Sequence, residues 1–409
     1  MTSDLAARFL QGLGDAPQPL GLAVSGGGDS MALLHLAVQA GLRCHAVTVD
    51  HGLRPEAATE AAVVAGACAA LGVAHDSLCW QGWDGHGNLQ DQARRARYRL
   101  MADWAAHRGL AAVALGHTRD DQAETFLMRL ARGAGVDGLA AMSSRRQWLG
   151  VDWRRPLLGV GRDALRDWLR ARGVTWVDDP SNDDVHYDRV RVRQALGGLA
   201  GLGIDAARLA AVAGHLAQVR DALDVQVLAA ARQFAHVEAG DVVLDAAALT
   251  ELPPEIARRL LRQALVWVAS AEYGPRGAAL ARLTDALQAA RPATLLGCRL
   301  LPRRGAVRVT REWQAVRDLT CPSDALWDGR WRMIGPQING LQLRALGAEG
   351  LALCPAWRHT GRPRAALLAS PSLWHQGELV AAPLAGRPAA WQAETVGGPD
   401  AFYLSILSH

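Results

Sequence analysis

A glycine-rich hexapeptide, SGGGDS, is the segment of the chain best suited to bind phosphate. It lies between a predicted strand and a predicted helix, where backbone N–H groups and the helix dipole attract anions. Three consecutive glycines permit a tight turn and a close approach to the ligand. A carboxylate inside a phosphate loop indicates Mg²⁺ bridging it to the phosphates. The predicted phosphate-binding residues are Ser25, Gly26, Gly27, Gly28, Asp29 and Ser30.

Three acidic residues form a second candidate site in the sequence LGHTRDDQAET, which follows the fourth predicted strand. Asp120 and Asp121 precede Glu124 by four and three residues, which places all three on one helix face. Like charges at this spacing repel, so the cluster predicts a cation or a metal among them. Stabilisation of the helix dipole is the alternative, and it explains the two aspartates better than Glu124.

Further polar residues follow the second and fourth predicted strands. Asp50 and His51, in the sequence VDHGLR, and His117 are placed to border a nucleotide. Five arginines are candidates for phosphate or nucleotide contact, with an ordinary solvated surface as the alternative. They are Arg94 and Arg97, beside Tyr98 on one helix, and Arg189, Arg191 and Arg193 after the turn-rich WVDDPSND.

Short apolar segments alternate with helical patterns over the first 135 residues. The predicted strands are 20–25, 43–50, 74–78 and 111–115, and the predicted helices are 30–40, 55–71, 88–107 (with Asn88 as its cap) and 120–132. This alternation predicts an α/β fold with a doubly wound parallel sheet. Such sheets bind ligands at the carboxyl ends of their strands, where the polar residues above are located.

The rest of the chain has a different pattern. A glycine-rich segment at 196–205 indicates a linker; helices are predicted at 205–235, 253–268 and 276–290, and a hairpin at 294–301 and 306–311. A segment punctuated by proline and glycine follows and favours short strands. We predict three domains: a catalytic domain (1–199), a helical middle domain (200–320) and a small β-rich domain (321–409).

Composition excludes several kinds of chemistry. The 409 residues include 44 arginines and no lysine, which excludes a Walker A lysine, a pyridoxal Schiff base and a lysine–nucleotide intermediate. Residues 254–344 hold 15 arginines and 7 acids. This excess of positive charge favours a surface that binds nucleic acid, and an ordinary solvated surface is the alternative. The six cysteines form no CxxC, so buried thiols in a reducing compartment are expected.

The hexapeptide resembles the pyrophosphate-binding loop of N-type ATP pyrophosphatases. Four further segments, together with it, resemble the tRNA(Ile)-lysidine synthase family. They are VDHGLR, GHTRDDQAETFLMRLARGAG (116–135), RPLL (155–158) and WVDDPSND with the arginines that follow. The resemblance is strong over about residues 20–195. It is looser in the helical middle and in RALGAEG (344–350), which are similar to the family's appended tRNA-binding parts.

This resemblance implies an enzyme that uses ATP to adenylate the wobble cytidine of tRNA(Ile) with a CAU anticodon. The ε-amine of L-lysine then displaces AMP. ATP and Mg²⁺ would be held by residues 25–30 with Asp50, His51 and His117. Asp29, Asp120, Asp121 and Glu124 would be catalytic or bind lysine, and the five arginines would bind tRNA. A homodimer is one possible assembly. No association with a membrane is expected. The absence of a signal-peptide pattern predicts that the protein is located in the cytoplasm.

Two alternatives remain. One is a related enzyme that thiolates tRNA, although its iron–sulfur type needs clustered cysteines, which the spacing here disfavours. The other is a non-catalytic module that binds ATP or tRNA and has kept only the fold. The intact SGGGDS and the acidic cluster favour an enzyme.

Overall fold

The computed structural model describes residues 2–50, 52, 57–80, 89–178, 188–336 and 338–407. It divides into two compact units, Met1–Arg220 and Asp221–Ser408. The predicted boundaries at 199/200 and 320/321 remain predictions.

The first unit alternates strands and helices. Its elements are α1 (Thr2–Leu13), β1 (Leu20–Ala23), α2 (Gly28–Gln39), β2 (Cys44–Asp50), α3 (Ala57–Ala70), β3 (Ala74–Cys79), α4 (Leu89–His107), β4 (Ala112–Leu115), α5 (Arg119–Leu130), α6 (Val136–Leu139), β5 (Arg145–Trp148), β6 (Val151–Arg154), α7 (Arg162–Arg170) and α8 (Asp188–Leu199). All four predicted strands and four predicted helices are confirmed, with ends that differ by about two residues or fewer. The predicted cap Asn88 lies outside the described residues.

The six strands form one sheet in the order β3-β2-β1-β4-β6-β5. Strands β1 to β4 and β6 are parallel, which confirms the predicted parallel sheet. Sequence reasoning missed the β5–β6 hairpin, whose first strand adds an antiparallel edge. The strand order reverses between β1 and β4. A crevice therefore opens at their carboxyl ends, directly before the phosphate loop and the acidic helix.

Helices cover both faces of this sheet, and β4 shows why. Ala112 and Ala114 belong to one core, with α1, α2, α3 and α7. Val113 and Leu115 belong to the opposite core, with α4. Successive strand residues point to opposite faces, so a strand that is apolar at every position must be covered twice.

The segment from α8 onward is more helical than a linker would be. The glycines predicted to form a linker end α8 and enter a 3₁₀ turn, Ala200–Leu202, before the long helix α9 (Ala206–Phe234). Leu209 and Ala213 of α9 pack with Phe126 of α5. Apolar contacts therefore tie the start of α9 to the first unit.

The second unit combines helices with antiparallel sheets. Its elements are β7 (Ala235–Glu238), β8 (Asp241–Asp245), α10 (Ala248–Glu251), α11 (Pro254–Ala269), α12 (Gly277–Gln288), β9 (Ala293–Leu295), β10 (Cys298–Arg303), β11 (Ala306–Arg311), α13 (Trp313–Val316), β12 (Thr320–Pro322), β13 (Trp331–Ile334), β14 (Gln342–Ala345), α14 (Gly347–Ala352), α15 (Arg364–Leu368), β15 (Pro371–His375), β16 (Glu378–Ala381), β17 (Gln392–Thr395) and α16 (Asp400–Ile406). The predicted helices are confirmed, and so is the antiparallel pairing of β10 with β11. The predicted strand 294–301 is wrong as a single strand, because the chain turns at Leu296 and Gly297 and divides it between β9 and β10. The hairpin belongs to a five-stranded sheet, β7-β8-β11-β10-β9, whose other strands sequence reasoning missed.

The last helix joins the middle of the chain. Phe402 and Ile406 of α16 lie in the same core as Leu260 of α11 and Leu300 of β10. A second, four-stranded sheet, β12-β14-β15-β16, and the β13–β17 pair make up the β-rich part.

Among the described residues, no single helix has the length and apolar composition needed to cross a membrane. The pair Asp188–Leu202 and Ala206–Phe234 meets that test together, across a bend of 97°.

Candidate active site

The phosphate loop follows β1 and ends in the first turn of α2. Gly26 has a φ of +90°, a conformation that favours glycine. The Ser30 hydroxyl donates to the Gly27 carbonyl at 2.9 Å and accepts the Ser25 N–H at 3.1 Å. These internal bonds hold the turn. The first-turn N–H groups of α2 have no partner within the helix, so they are available to an anion.

Two neighbouring segments support this loop. The Val177 N–H donates to the Gly26 carbonyl at 3.0 Å, so the WVD segment lies against the phosphate loop. On the other side, Gly116 packs on the loop backbone. A Cβ at Gly116 would lie 3.1 Å from both the Asp29 carbonyl oxygen and the Ser30 Cα. Both contacts are with backbone, which cannot rotate away.

Gly116→Ala is expected to destabilise the protein by about 1–3 kcal/mol through overpacking and to raise the KM for ATP. Gly66→Ala is the matched control, since nothing lies within 4 Å of a Cβ at that position in α3. Alanine in a helix interior is favoured over glycine by up to about 1 kcal/mol. Thermal unfolding and ATP kinetics of both variants test this. Equal stability and equal KM for the two would contradict it.

The predicted acidic residues converge on one arginine, Arg162, at the first position of α7. Its backbone N–H donates to Asp120 Oδ2 at 2.8 Å. Its guanidinium donates to three further carboxylates: Asp29 Oδ2 at 3.1 Å, Asp121 Oδ1 at 3.2 Å and Glu124 Oε1 at 3.2 Å. The cation that the sequence predicted among the acids is therefore, at least in part, a side chain of the protein.

Asp121 also caps α5. Its Oδ2 accepts the Thr118 N–H at 2.8 Å, and the Thr118 hydroxyl accepts the Asp121 N–H, which together form a capping box. Both oxygens of Asp121 are thus engaged. The helix-stabilising role and the site role that the sequence left as alternatives both apply to this residue.

Glu124 is the most buried of the four acids, with 1% of its side chain exposed. Its Oε1 accepts hydrogen bonds from Arg162 and, at 3.0 Å, from Arg193 Nε. Its Oε2 is buried and has no hydrogen-bond partner among the described residues. A buried, unpaired carboxylate oxygen is costly, and an added ammonium group would satisfy it.

Burial is the main cause that raises the pKa of Asp29, to about 6. The Arg162 guanidinium opposes this shift, and the negative charge of Asp121 adds to it. Asp29 Oδ1 is also buried without a partner among the described residues. Burial disfavours the charged form of Arg162, but Asp121, Asp29 and Glu124 outweigh it and raise the arginine pKa.

A second group of arginines surrounds His117, in the loop after β4. Burial first, and then the positive charges of Arg155, Arg97, Arg189 and Arg94, lower the pKa of His117 well below its usual value. His117 is therefore neutral at physiological pH. The guanidinium groups of Arg94 and Arg97 lie 5.4 and 5.7 Å from the centre of the Tyr98 ring.

The predicted tRNA-binding arginines thus separate. Arg94, Arg97 and Arg189 lie around His117, whereas Arg193 pairs with Glu124 and Arg191 pairs with Asp188. Asp50 ends β2 and accepts the Gly52 N–H through Oδ1 at 2.7 Å. His51 lies outside the described residues.

Among the described residues, no three His, Cys, Asp or Glu side chains are placed to hold a metal ion by themselves. Asp29 still fits a magnesium ion carried by phosphates. It lies in the phosphate loop, and its Oδ1 is buried and unpartnered. A hard cation with few protein ligands and several phosphate oxygens is the usual Mg²⁺ arrangement.

Sequence reasoning missed Arg162 and Arg155. A usable signal existed for Arg162: it lies four residues after RPLL, at a helix N-terminus, where the helix dipole disfavours a cation. An arginine placed against the dipole indicates carboxylate partners. Arg155 is the first residue of RPLL, but no local pattern predicts its role, because its contact with the Tyr98 hydroxyl at 3.5 Å spans 57 residues of sequence.

Comparison with known proteins agrees with this geometry. The family model of the PP-loop domain matches residues 1–199. A tRNA(Ile)-lysidine synthase of Ruegeria pomeroyi is 55% identical over 397 residues, covering 96% of this chain and 95% of that protein. The tRNA(Ile)-lysidine synthase of Hyphomonas neptunium is 40% identical over 316 residues, covering 73% and 84%.

Among solved structures, one similar protein is the U34-tRNA thiolase NcsA from Methanococcus maripaludis with its 4Fe-4S cluster. The match covers 53% of this chain and 80% of the NcsA chain. The sequence identity is 16% and the TM-score is 0.46.

Proposed function

The chain belongs to the tRNA(Ile)-lysidine synthase family, and from this premise we propose that it joins L-lysine to C2 of the wobble cytidine in tRNA(Ile) with a CAU anticodon. The reaction consumes ATP and releases AMP and pyrophosphate. The enzyme is thus a ligase that forms a carbon–nitrogen bond.

The reaction has two steps. The C2 carbonyl oxygen of cytidine attacks the α-phosphorus of ATP, and the bond to pyrophosphate breaks. The ε-amine of lysine then attacks C2, loses a proton, and the C2–O bond breaks with AMP as the leaving group. Adenylation is needed because a pyrimidine carbonyl oxygen is a poor leaving group by itself.

The observation that carries the proposal is the meeting of Asp29, from the phosphate loop, with Asp121 and Glu124, from α5, on Arg162. The two reactants need different groups: backbone N–H donors for the phosphates and carboxylates for the amine. Both sets lie at the carboxyl ends of adjacent strands, β1 and β4. The free Oε2 of Glu124 supports binding of the lysine ammonium, since a charge-assisted hydrogen bond is favourable there.

The phosphate loop would hold the triphosphate, with Asp50, His51 and His117 bordering the nucleotide. Asp29 would hold Mg²⁺ through the phosphates, and that ion would neutralise charge on them. Asp120, whose Oδ2 accepts the Arg162 N–H, would help to fix α5 against α7.

The arginines around His117 would contact phosphates of the anticodon loop. The bases of a loop are already partly unstacked, so turning one into the crevice costs little. Arg191 and Arg193 complete the proposed tRNA contacts, although Arg193 also pairs with Glu124. The substrates are those of the cytoplasm, which is the location we propose. A homodimer remains a prediction, which light scattering of the full-length chain tests.

The deciding experiment combines purified protein with ATP, labelled lysine and tRNA(Ile). Label in the tRNA, with equimolar AMP and pyrophosphate, supports the proposal. A thiolating enzyme would instead transfer sulfur and leave lysine unused, and a non-catalytic module would release no pyrophosphate. Either result would reject the proposal.

Exposed arginines of the second unit are expected to bind the tRNA body. Arg303 and Arg304, at the β10–β11 turn, are exposed and form no ion pair with a described residue. Arg303→Gln with Arg304→Gln should weaken tRNA binding and reduce the slope of log affinity against log salt by about 2. The control is Arg170→Gln with Arg317→Gln, both exposed and already paired with aspartates. Filter binding at several salt concentrations measures this, and identical slopes for the two double variants would contradict it.

A further inference from the structure

Arg162 has an unusual set of partners for a residue in a helical first turn. Its backbone N–H, Nε, Nη1 and Nη2 each donate to a different carboxylate. The acceptors come from two elements, α2 and α5, whereas Arg162 belongs to a third, α7. Only 14% of its side chain is exposed. The residue therefore connects three elements at the crevice.

Each of two acids gives Arg162 one oxygen and keeps the other free. Asp29 uses Oδ2 and Glu124 uses Oε1, while Asp29 Oδ1 and Glu124 Oε2 are buried without a partner among the described residues. Asp121 has no oxygen left, because Thr118 occupies its Oδ2. The guanidinium thus fixes the orientation of the carboxylates and leaves two acceptors for reactants.

Charge leads to the same conclusion. Three carboxylates pair with two guanidinium groups, those of Arg162 and Arg193, and a fourth, Asp120, accepts the Arg162 backbone N–H. Without Arg162 the acids would repel one another or turn towards water. With it, the cluster keeps a net negative charge that suits a cationic substrate.

We propose that Arg162 is a positioning residue for lysine transfer, on the premise of the proposed function. Its guanidinium holds Asp29 of the phosphate loop and Glu124 of the lysine site in one arrangement, with their second oxygens aimed at the reactants. Arginine is required because its planar fork donates in several fixed directions. A lysine side chain at this position would supply the charge from a single atom.

Five full-length proteins test this role: wild type, R162Q, R162K, R162A and, as the control, R170Q. Arg170 lies on the same helix, is exposed and pairs with Asp167. We expect R162Q to reduce kcat/KM for lysine at least 100-fold, with a raised lysine KM. R162K should retain the fold and lose at least tenfold. R170Q should equal the wild type.

Added guanidinium ion separates positioning from a merely structural role. At millimolar concentrations it should restore lysine transfer by R162Q or by R162A at least tenfold. Urea has the same shape without the charge, and methylammonium has the charge without the fork, so neither should restore it. Circular dichroism establishes how much of each variant is folded.

Wild-type lysine kinetics in R162Q would overturn the inference. A loss of activity that only parallels the loss of folded protein, in both R162K and R162Q and with no rescue by guanidinium, would also overturn it. These outcomes are distinct from failure of the proposed function, in which the wild-type protein itself would transfer no lysine to tRNA.

Discussion

Asp29→Asn is expected to reduce pyrophosphate release about 100-fold or more, as for removal of an electrostatic stabiliser. Asparagine keeps the shape of the side chain and an oxygen that accepts from Arg162, but it lacks the charge that Mg²⁺ and its phosphates need. The protein should remain as stable as the wild type. Burial raises the pKa of Asp29 to about 6, so the fold already disfavours its charged form.

The control for Asp29 is Asp163→Asn, which removes an exposed carboxylate in the first turn of α7. Pyrophosphate release in the presence of tRNA and ATP, together with thermal unfolding, is the measurement. Undiminished release by Asp29→Asn would disprove the assigned role. A large drop in melting temperature would show that the charge serves the fold instead.

Glu124→Gln is expected to raise the KM for lysine ten- to a hundredfold and to change the KM for ATP much less. A hydrogen bond between charged groups contributes roughly 1.5–3 kcal/mol, which corresponds to that range at 1.4 kcal/mol for each factor of ten. Glu124 is the better choice than Asp121 because Asp121 also caps α5.

Stability must be measured beside the kinetics of the Glu124 variant. Removing one partner of a buried ion pair typically costs about 3–5 kcal/mol, and Arg162 and Arg193 would both lose a carboxylate. Two variants serve as controls. Glu124→Asp retains the negative charge at the site, and Glu251→Gln removes an exposed carboxylate from α10. If the ATP KM rises instead of the lysine KM, Glu124 serves the phosphates and the assignment is wrong.

Local patterns were sufficient for the first four strands and for the helices that follow them. The strands β1 and β4 are short and apolar throughout, and β2 and β3 contain short apolar segments. Each of the four strands precedes a helix, so both type and order could be predicted. The same logic located the phosphate loop and the acids of α5, since both follow strands that a parallel sheet brings to one edge. The β5–β6 hairpin escaped prediction because Arg145, Arg146 and Arg154 interrupt its apolar pattern.

The sequence by itself therefore determined the fold class, the phosphate loop and the identity of the carboxylates, because these depend on residue type and on spacing within one element. Only the tertiary structure decided which cation lies among those acids. Arg162 is 133 residues from Asp29 and 38 from Glu124, and no local pattern encodes a contact over such distances. The tertiary structure also separates the predicted tRNA-binding arginines: Arg193 pairs with Glu124, whereas Arg94 and Arg97 lie around His117. The physical reason is that a guanidinium group pairs with the nearest desolvated carboxylate, and only the fold sets which carboxylate that is.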